Sequence, residues 1–180
     1  KDIDEEEWKD VSDEKIDPKK PYLCRLPSVR DIILFFYDGP ISKEVGFGNL
    51  LENGEKFADS LLKAFPDTDN SNQLIHIATD GETYGHHHRF GDMTLAKCLH
   101  TIEETKDAEL TIYGEYLEEN PPKQEVEIYE DSSWSCAHGI ERWRSDCGCN
   151  TGSHPSWTQK WRKPLREALN WLRDKLDPLY

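Results

Sequence analysis

Residues 74–92 read LIHIATDGETYGHHHRFGD, an apolar run that passes directly into a dense group of polar side chains. The apolar part, taken as Gln73 to Thr79, has the pattern of a strand buried on both faces, and it closes at Asp80-Gly81. If the strand persisted, Asp80 and Glu82 would point the same way. Three glycines would let the backbone bend sharply and approach a ligand: Gly81, Gly85 and Gly91. Active sites are built from polar strand ends of this kind.

A second apolar run, Asp31 to Tyr37 (DIILFFY), also has the pattern of a strand buried on both faces, and it also closes on Asp-Gly, at Asp38-Gly39. Between the two runs, apolar residues recur at helical spacing within Glu55 to Phe65. The order strand, helix, strand predicts that the two strands pair in parallel.

The rest of the chain predicts further elements of both kinds. A helix from about Asp92 to Thr105 is expected to bury Leu95, Ala96, Leu99 and Ile102, and strands are expected at Leu110–Tyr113 and Val126–Tyr129. A long polar loop from Glu130 to Gln159, rich in tryptophan and cysteine, leads to a terminal helix near Pro164–Leu176. Its core-facing residues are predicted to be Leu165, Ala168, Leu169, Leu172 and Leu176.

These strand-helix units predict an α/β fold, either a barrel or an open sheet, with its chemistry at the carboxyl ends of the strands. Both arrangements would place Asp38 and Asp80 together. A complete eight-stranded barrel needs about 250 residues, so the chain is expected to supply only a second half. Residues 1–20, of which 14 are charged, are expected to be an acidic connector or a peripheral helix, and residues 21–180 a partial barrel domain.

Composition and charge exclude several classes of partner. The net charge of -14 disfavours binding to nucleic acid, because phosphate backbones are repelled. No apolar run approaches the roughly 18 residues of a membrane-spanning helix, and the charged start is unlike a signal peptide. Five cysteines, three of them close together, are unlike a secreted disulfide framework and favour a cytoplasmic location.

Two carboxyl groups near one sugar ring can split a glycosidic bond when they lie roughly 5 to 9.5 Å apart. Asp80 and Glu82 are candidates for this chemistry. The plainer interpretation is an Asp-Gly turn in which Glu82 favours the start of a following helix. The three adjacent histidines weaken that interpretation, because consecutive imidazoles are rarely needed for packing. We expect His86 and His87 to contact sugar hydroxyls, with a metal bound by the His86–His88 tract as the second possibility.

A second concentration of functional side chains is residues 134–150, WSCAHGIERWRSDCGCN. Trp161, beyond it, is expected in the core, whereas Trp134 and Trp143 are better placed for ligand contact beside charged neighbours that include Arg142. Three sulfurs and one imidazole suffice for a tetrahedral zinc site: Cys136, His138, Cys147 and Cys149. Each pair has one intervening residue instead of the usual two to four, which favours free thiols and leaves structural zinc as an alternative.

Four segments resemble a known family. They are Tyr22-Leu-Cys-Arg-Leu-Pro27, Phe35-Phe-Tyr-Asp-Gly-Pro-Ile-Ser42, Ala78-Thr-Asp-Gly-Glu-Thr-Tyr-Gly-His-His-His-Arg89, and Ser133-Trp-Ser-Cys-Ala-His-Gly through Cys147-Gly-Cys149. On these segments the chain resembles the glycoside hydrolase family 57 type proteins of uncharacterised specificity, often labelled α-amylase/α-mannosidase-like.

The resemblance implies a role for Asp80. The family pattern of Asp, any residue, Glu, any residue, aromatic, Gly, His matches Asp80 through His86, and its Asp serves as the general acid/base. The family fold is an incomplete (β/α)7 barrel followed by helices, and its reaction is retaining hydrolysis or transfer on α-linked glucans. Its nucleophile, a Glu on an earlier strand, and its His-Gln-Pro motif do not occur here. The resemblance therefore implies the carboxyl-terminal half of a catalytic barrel, inactive without the amino-terminal half of the same barrel.

Three functions are open at this point. The first is a carbohydrate-active enzyme with no required cofactor, with Asp80 as acid/base. Its predicted substrate-binding residues are Asp38, Glu82, His86, His87, Arg89, Trp134 and Arg142. The second is a non-catalytic glycan-binding or regulatory domain, and the third is a metal-dependent hydrolase that uses the histidines and Asp80 as ligands.

Overall fold

The structure, a computed structural model, describes residues 1–12, 15–66, 72–133, 135–149 and 154–179. These residues form a mixed α/β fold with three strands and six α-helices. The chain divides into two compact units, Lys1–Glu127 and Ile128–Tyr180. The strands are β1 Pro21–Arg25, β2 Asp31–Phe35 and β3 Gln124–Glu125, and the helices are α1 Gly39–Phe47, α2 Gly54–Leu62, α3 Gly91–Thr105, α4 Tyr113–Glu119, α5 Glu141–Arg144 and α6 Arg162–Leu176.

The sheet has the strand order β2-β1-β3, with β1 antiparallel to β2 and parallel to β3. Tyr22 pairs with Leu34 in the first ladder. The parallel pair predicted between residues 31–37 and 73–79 does not form in the described residues, because β2 pairs with β1 and no strand is assigned to residues 73–79. A tight turn after β1 reverses the direction of the chain, and the Leu26 N–H donates to the Arg30 carbonyl at 2.8 Å across it. β2 therefore runs antiparallel to β1.

β2 is an edge strand, and the prediction that it is buried on both faces is also wrong. Ile32 and Ile33 are 47% and 36% exposed. Residues 73–79 form no strand. Their hydrogen bonds to other segments include one from the Leu74 N–H to the Lys19 carbonyl and one from the Asp38 N–H to the His76 carbonyl. An apolar run is buried on both faces only where other strands or helices cover it, and the sheet in the described residues has three strands with β2 at its edge.

Two further strand predictions are displaced. Tyr113, predicted to end a strand, instead begins α4, and no strand is assigned to residues 110–112. The strand predicted at Val126–Tyr129 lies at Gln124–Glu125, where β3 pairs with β1. In the described part of residues 1–20 there is no helix, and the Ile3 N–H donates to the Lys123 carbonyl at 3.0 Å.

The larger core of the first unit lies among α1, α2 and α3. Its buried residues are Val45, Leu51, Phe57, Ala58, Cys98 and Ile102. The predicted bounds of α3 are confirmed to within one residue, but its buried face is centred on Cys98, whereas Leu99 and Ala96 are exposed. Gly54 is buried because α2 approaches α3 closely there: a Cβ at Gly54 would lie 2.7 Å from the Cβ of Lys97.

The terminal helix α6 forms close to its predicted bounds, but its apolar residues do not face a core. Leu165, Ala168, Leu169, Leu172 and Leu176 are all exposed, as is Trp161. In the described residues of 128–179, Cys136 is the one buried residue, so no described residue of this unit covers the apolar face of α6 fully. No helix in the described residues is both long enough and apolar enough to cross a bilayer.

Candidate active site and candidate metal centre

The two apolar runs that are followed by Asp-Gly, residues 31–37 and 73–79, lie side by side at their carboxyl-terminal ends. The Asp38 N–H donates to the His76 carbonyl at 3.0 Å. The Ser42 hydroxyl donates to the Asp38 carbonyl at 2.6 Å and accepts from the Ala78 N–H at 3.1 Å. The Asp38 carboxylate caps α1, because its Oδ1 accepts from the Ile41 N–H at 2.9 Å.

Asp80 lies at the start of a single 3-10 turn, Gly81–Thr83. The backbone turns here instead of continuing as a strand, so the alternation that would align Asp80 with Glu82 does not apply. Asp80 is exposed, and its carboxylate accepts no hydrogen bond from the described residues. The Glu82 carboxylate is exposed too, but its Oε1 lies 3.3 Å from Nε2 of His87.

The three histidines have different surroundings. The rings of His86 and His87 pack edge to face at 4.9 Å between centroids and are exposed, whereas Nε2 of His88 donates to the Gly46 carbonyl at 3.0 Å. The guanidinium of Arg89 lies 4.8 Å from the ring centre of Phe90. Neither Asp80 nor these histidines belong to any group of three or more convergent metal-ligating side chains in the described residues. The exposed side chains of this turn present both donor and acceptor atoms to solvent.

The turn that carries these side chains depends on two of the predicted glycines. Gly85 has φ of +147°, a conformation that other residues rarely adopt. Gly91 packs against the turn, and a Cβ there would lie 3.1 Å from Cα of Tyr84. The Thr79 hydroxyl donates to the Tyr84 hydroxyl at 3.0 Å, which joins the two sides of the turn.

Sequence reasoning missed an aromatic cluster next to this site. Nδ1 of His76 lies 3.0 Å from the Tyr113 hydroxyl, Nε2 of His76 lies 3.2 Å from the Pro18 carbonyl, and the rings of Phe35 and Tyr113 lie 4.5 Å apart. Burial lowers the pKa of His76. The presence of a histidine inside an apolar run indicates a buried polar contact, but the sequence does not indicate which residues make it.

The candidate site lies on an open surface of the first unit. Cavities of about 630 and 560 Å³ in the described residues are lined by other side chains, among them Asp59 and Tyr116.

In the second unit, Trp143 and Arg142 line a cavity of about 260 Å³ with α6. The guanidinium of Arg142 donates to the Ser135 carbonyl at 3.1 Å. Trp134 lies outside the described residues.

A group of four potential metal ligands lies in the second unit. The side-chain ligand atoms of Cys136, His138, Cys147 and Cys149 all lie within 4.8 Å of one another, and these residues could hold a metal ion. All five cysteines of the chain are free thiols. The hydrogen bond from the Cys149 N–H lowers the pKa of Cys147, and the hydrogen bond with the Cys136 sulfur raises the pKa of Cys149 to about 11.

Comparison with known families gives two matches. Residues 4–129 match Glycosyl hydrolase family 57, and residues 157–180 match a domain of unknown function, DUF3536. The first match contains the turn that begins at Asp80, and it defines a glycoside hydrolase-type protein with a carbohydrate substrate. Because that match covers well over half of the chain, the chain belongs to Glycosyl hydrolase family 57. No curated protein and no solved structure matches it.

Proposed function

We propose that the chain supplies the proton donor of a retaining glycoside hydrolase or glucanotransferase acting on α-linked glucans, with Asp80 as the general acid/base. The observation that carries this proposal is the state of the Asp80 carboxylate, which is exposed and accepts no hydrogen bond from the described residues. A general acid must reach the glycosidic oxygen directly. The Asp38 carboxylate is less suited to that role because it caps α1.

The neighbouring side chains suit a carbohydrate. Glu82, His86, His87 and Arg89 belong to the same exposed turn, and they offer both donors and acceptors for sugar hydroxyls. Asp38 is attached to this region through the backbone of His76. Trp134 and Arg142, in the second unit, stay predictions as substrate contacts.

Retaining hydrolysis needs a second carboxylate about 5 to 5.5 Å from the first, acting as nucleophile. The carboxylate of Glu82 lies within ion-pairing distance of His87. In the family that the chain resembles, the nucleophile is a different Glu, which lies on an earlier strand of the barrel. We therefore propose that this Glu is supplied from outside the 180 residues, by the amino-terminal half of an incomplete β/α barrel that residues 21–180 complete. This reaction uses two carboxyl groups and requires no cofactor.

The test is Asp80→Asn in the protein that carries both carboxyl groups. Loss of a general acid lowers the rate by about a hundredfold or more, so kcat/KM on a malto-oligosaccharide should fall at least that far. On a glycoside with an acidic phenol as leaving group the loss should be much smaller, because that group departs without protonation. A purely structural role for Asp80 would lower both rates alike.

The matched control is Asp92→Asn, which removes an exposed carboxylate from the first turn of α3. It should retain the activity of the unchanged protein. Undiminished glycan cleavage by Asp80→Asn would refute the assignment. Binding of malto-oligosaccharide in a calorimetric titration, with no turnover by the protein that carries both halves, would instead identify a non-catalytic glycan-binding domain.

A further inference from the structure

We infer that Cys136, His138, Cys147 and Cys149 bind one zinc ion in a tetrahedral, structural site. The four residues come from two short segments, 136–138 and 147–149, which the second unit brings together. They lie between the two family matches, at 4–129 and 157–180, and belong to neither. The inference is independent of the proposed glycosidase chemistry.

The distances between ligand atoms fit one ion. Zinc bonds of about 2.3 Å to sulfur and about 2.0 Å to nitrogen predict tetrahedron edges of about 3.8 Å between sulfurs and about 3.5 Å between sulfur and nitrogen. The Cys136 sulfur lies 4.0 Å from that of Cys147 and 3.2 Å from that of Cys149. Nδ1 of His138 lies 3.6 Å and 3.3 Å from the sulfurs of Cys136 and Cys149. A disulfide would need sulfurs about 2.05 Å apart.

The short spacing within each ligand pair is accommodated by glycines. Gly148 separates Cys147 from Cys149 and has φ of +80°, which allows a sharp turn between the two sulfur-bearing residues. Gly139 follows His138 with φ of +60°, and a Cβ there would overlap the Asp131 carbonyl oxygen. The one-residue spacing that favoured free thiols in the sequence therefore does not prevent the four ligands from converging.

The surroundings of the sulfurs also suit a bound zinc ion. Zinc would displace the protons of the three thiols, and three thiolates with a neutral imidazole around Zn²⁺ would leave the group with one net negative charge. Arg162, the first residue of α6, offsets that charge, since its Nη1 lies 3.6 Å from the Cys147 sulfur. The His138 N–H donates to the Cys136 sulfur at 3.4 Å. Hydrogen bonds of this kind orient ligands around zinc.

The donor set indicates the metal and its role. Thiolate with imidazole in a tetrahedral arrangement favours zinc over magnesium or calcium, which prefer oxygen ligands. Four protein ligands leave no open position for water or substrate, as is typical of a structural rather than a catalytic site. The ion would hold residues 136–149 as one closed loop in a unit whose described residues bury only Cys136.

The first experiment measures the metal in the 180-residue chain, purified without a histidine tag under reducing conditions. Elemental analysis should give one zinc per chain. After removal of zinc, Co²⁺ should bind with the intense visible bands of tetrahedral cobalt and with thiolate-to-cobalt charge transfer in the near ultraviolet. Absence of stoichiometric zinc, iron in its place, or a cobalt spectrum without thiolate bands would overturn the inference.

Variants locate the site. Cys149→Ser should lose stoichiometric zinc, and Arg162→Gln should keep one site while binding zinc about 10 to 100-fold more weakly, as expected for loss of a group beside a ligand. The controls are Cys24→Ser, which removes a cysteine of the first unit, and the double variant His86→Gln/His87→Gln, which disrupts the other candidate metal-binding tract. Both should keep their zinc. Loss of zinc in the histidine variant with retention in Cys149→Ser would place the metal elsewhere and overturn the inference.

Discussion

At the scale of single residues, His76 links three parts of the first unit. Its ring nitrogens lie within hydrogen-bond distance of the Tyr113 hydroxyl and the Pro18 carbonyl, and its backbone carbonyl accepts from the Asp38 N–H. Burial lowers the pKa of His76, although the Asp38 carboxylate and the carbonyl of Pro18 act in the opposite direction. The folded protein therefore favours the neutral imidazole.

This shift predicts a pH dependence of stability. Between the unfolded pKa of 6.5 and the lower folded pKa, the unfolded chain binds more protons at His76 than the folded chain does. The stabilisation is fully present above pH 6.5 and is lost as pH falls through the folded pKa. In His76→Gln the free energy of unfolding, measured in urea across this interval, should fall less steeply on acidification. If the free energy of unfolding fell equally steeply with pH in His76→Gln and in the unchanged protein, the prediction would be contradicted.

At the scale of elements, the contact between α2 and α3 depends on a glycine. A Cβ on Gly54 would lie 2.7 Å from the Lys97 Cβ and 2.8 Å from the Thr94 carbonyl oxygen, which is backbone and cannot rotate away. Gly54→Ala should therefore lower the free energy of unfolding by about 1 to 3 kcal/mol, the usual cost of overpacking.

The matched control for Gly54→Ala is Gly46→Ala in α1. An added Cβ at Gly46 meets nothing within 4 Å, so only the helix propensity changes. That substitution should be neutral or should stabilise the protein by up to about 1 kcal/mol. Urea unfolding of both variants separates the steric cost from the propensity. An equal effect of the two substitutions would show that α2 and α3 can move apart freely.

The helices could be predicted from sequence better than the strands could. The 3.6-residue periodicity of α3 and α6 is local, so their bounds follow from it, whereas the pairing of Asp31–Phe35 depends on β1 and on the hairpin turn at Leu26–Arg30. An apolar run does not reveal how many strands or helices cover it. The exposed leucines of α6 show the same limit, because periodicity identifies an apolar face but not its partner.

The candidate site was also only partly predictable. The residue types at Asp80 and its histidines, and in the Cys/His group, were visible in the sequence. The cap formed by Asp38, the partners of His76 and the approach of Arg162 to Cys147 depend on tertiary contacts, and no local pattern encodes them. The one-residue spacing within each ligand pair does not reveal that the four ligand atoms converge, because it carries no information on the backbone conformation of Gly148.

At the scale of the whole molecule, the two units differ in how they are stabilised. The first has an apolar core among α1, α2 and α3 and a smaller cluster on the sheet. The second buries only Cys136 among its described residues, and the leucines of α6 are exposed. If the inferred zinc ion binds there, its binding energy becomes folding energy for that unit, about 4 kcal/mol at a free zinc concentration a thousandfold above the dissociation constant.

Removal of zinc should therefore unfold the second unit and leave the first intact. Thiol reactivity reports this unfolding better than tryptophan emission, because the described tryptophans of the second unit are exposed already in the folded structure: Trp143, Trp157, Trp161 and Trp171. In a thiol-alkylation experiment read by peptide mass spectrometry, Cys136, Cys147 and Cys149 should become reactive. Cys24 and Cys98, which are 6% and 0% exposed in the first unit, should stay protected because their cores do not depend on the metal. Simultaneous labelling of all five cysteines would show instead that the two units unfold as one.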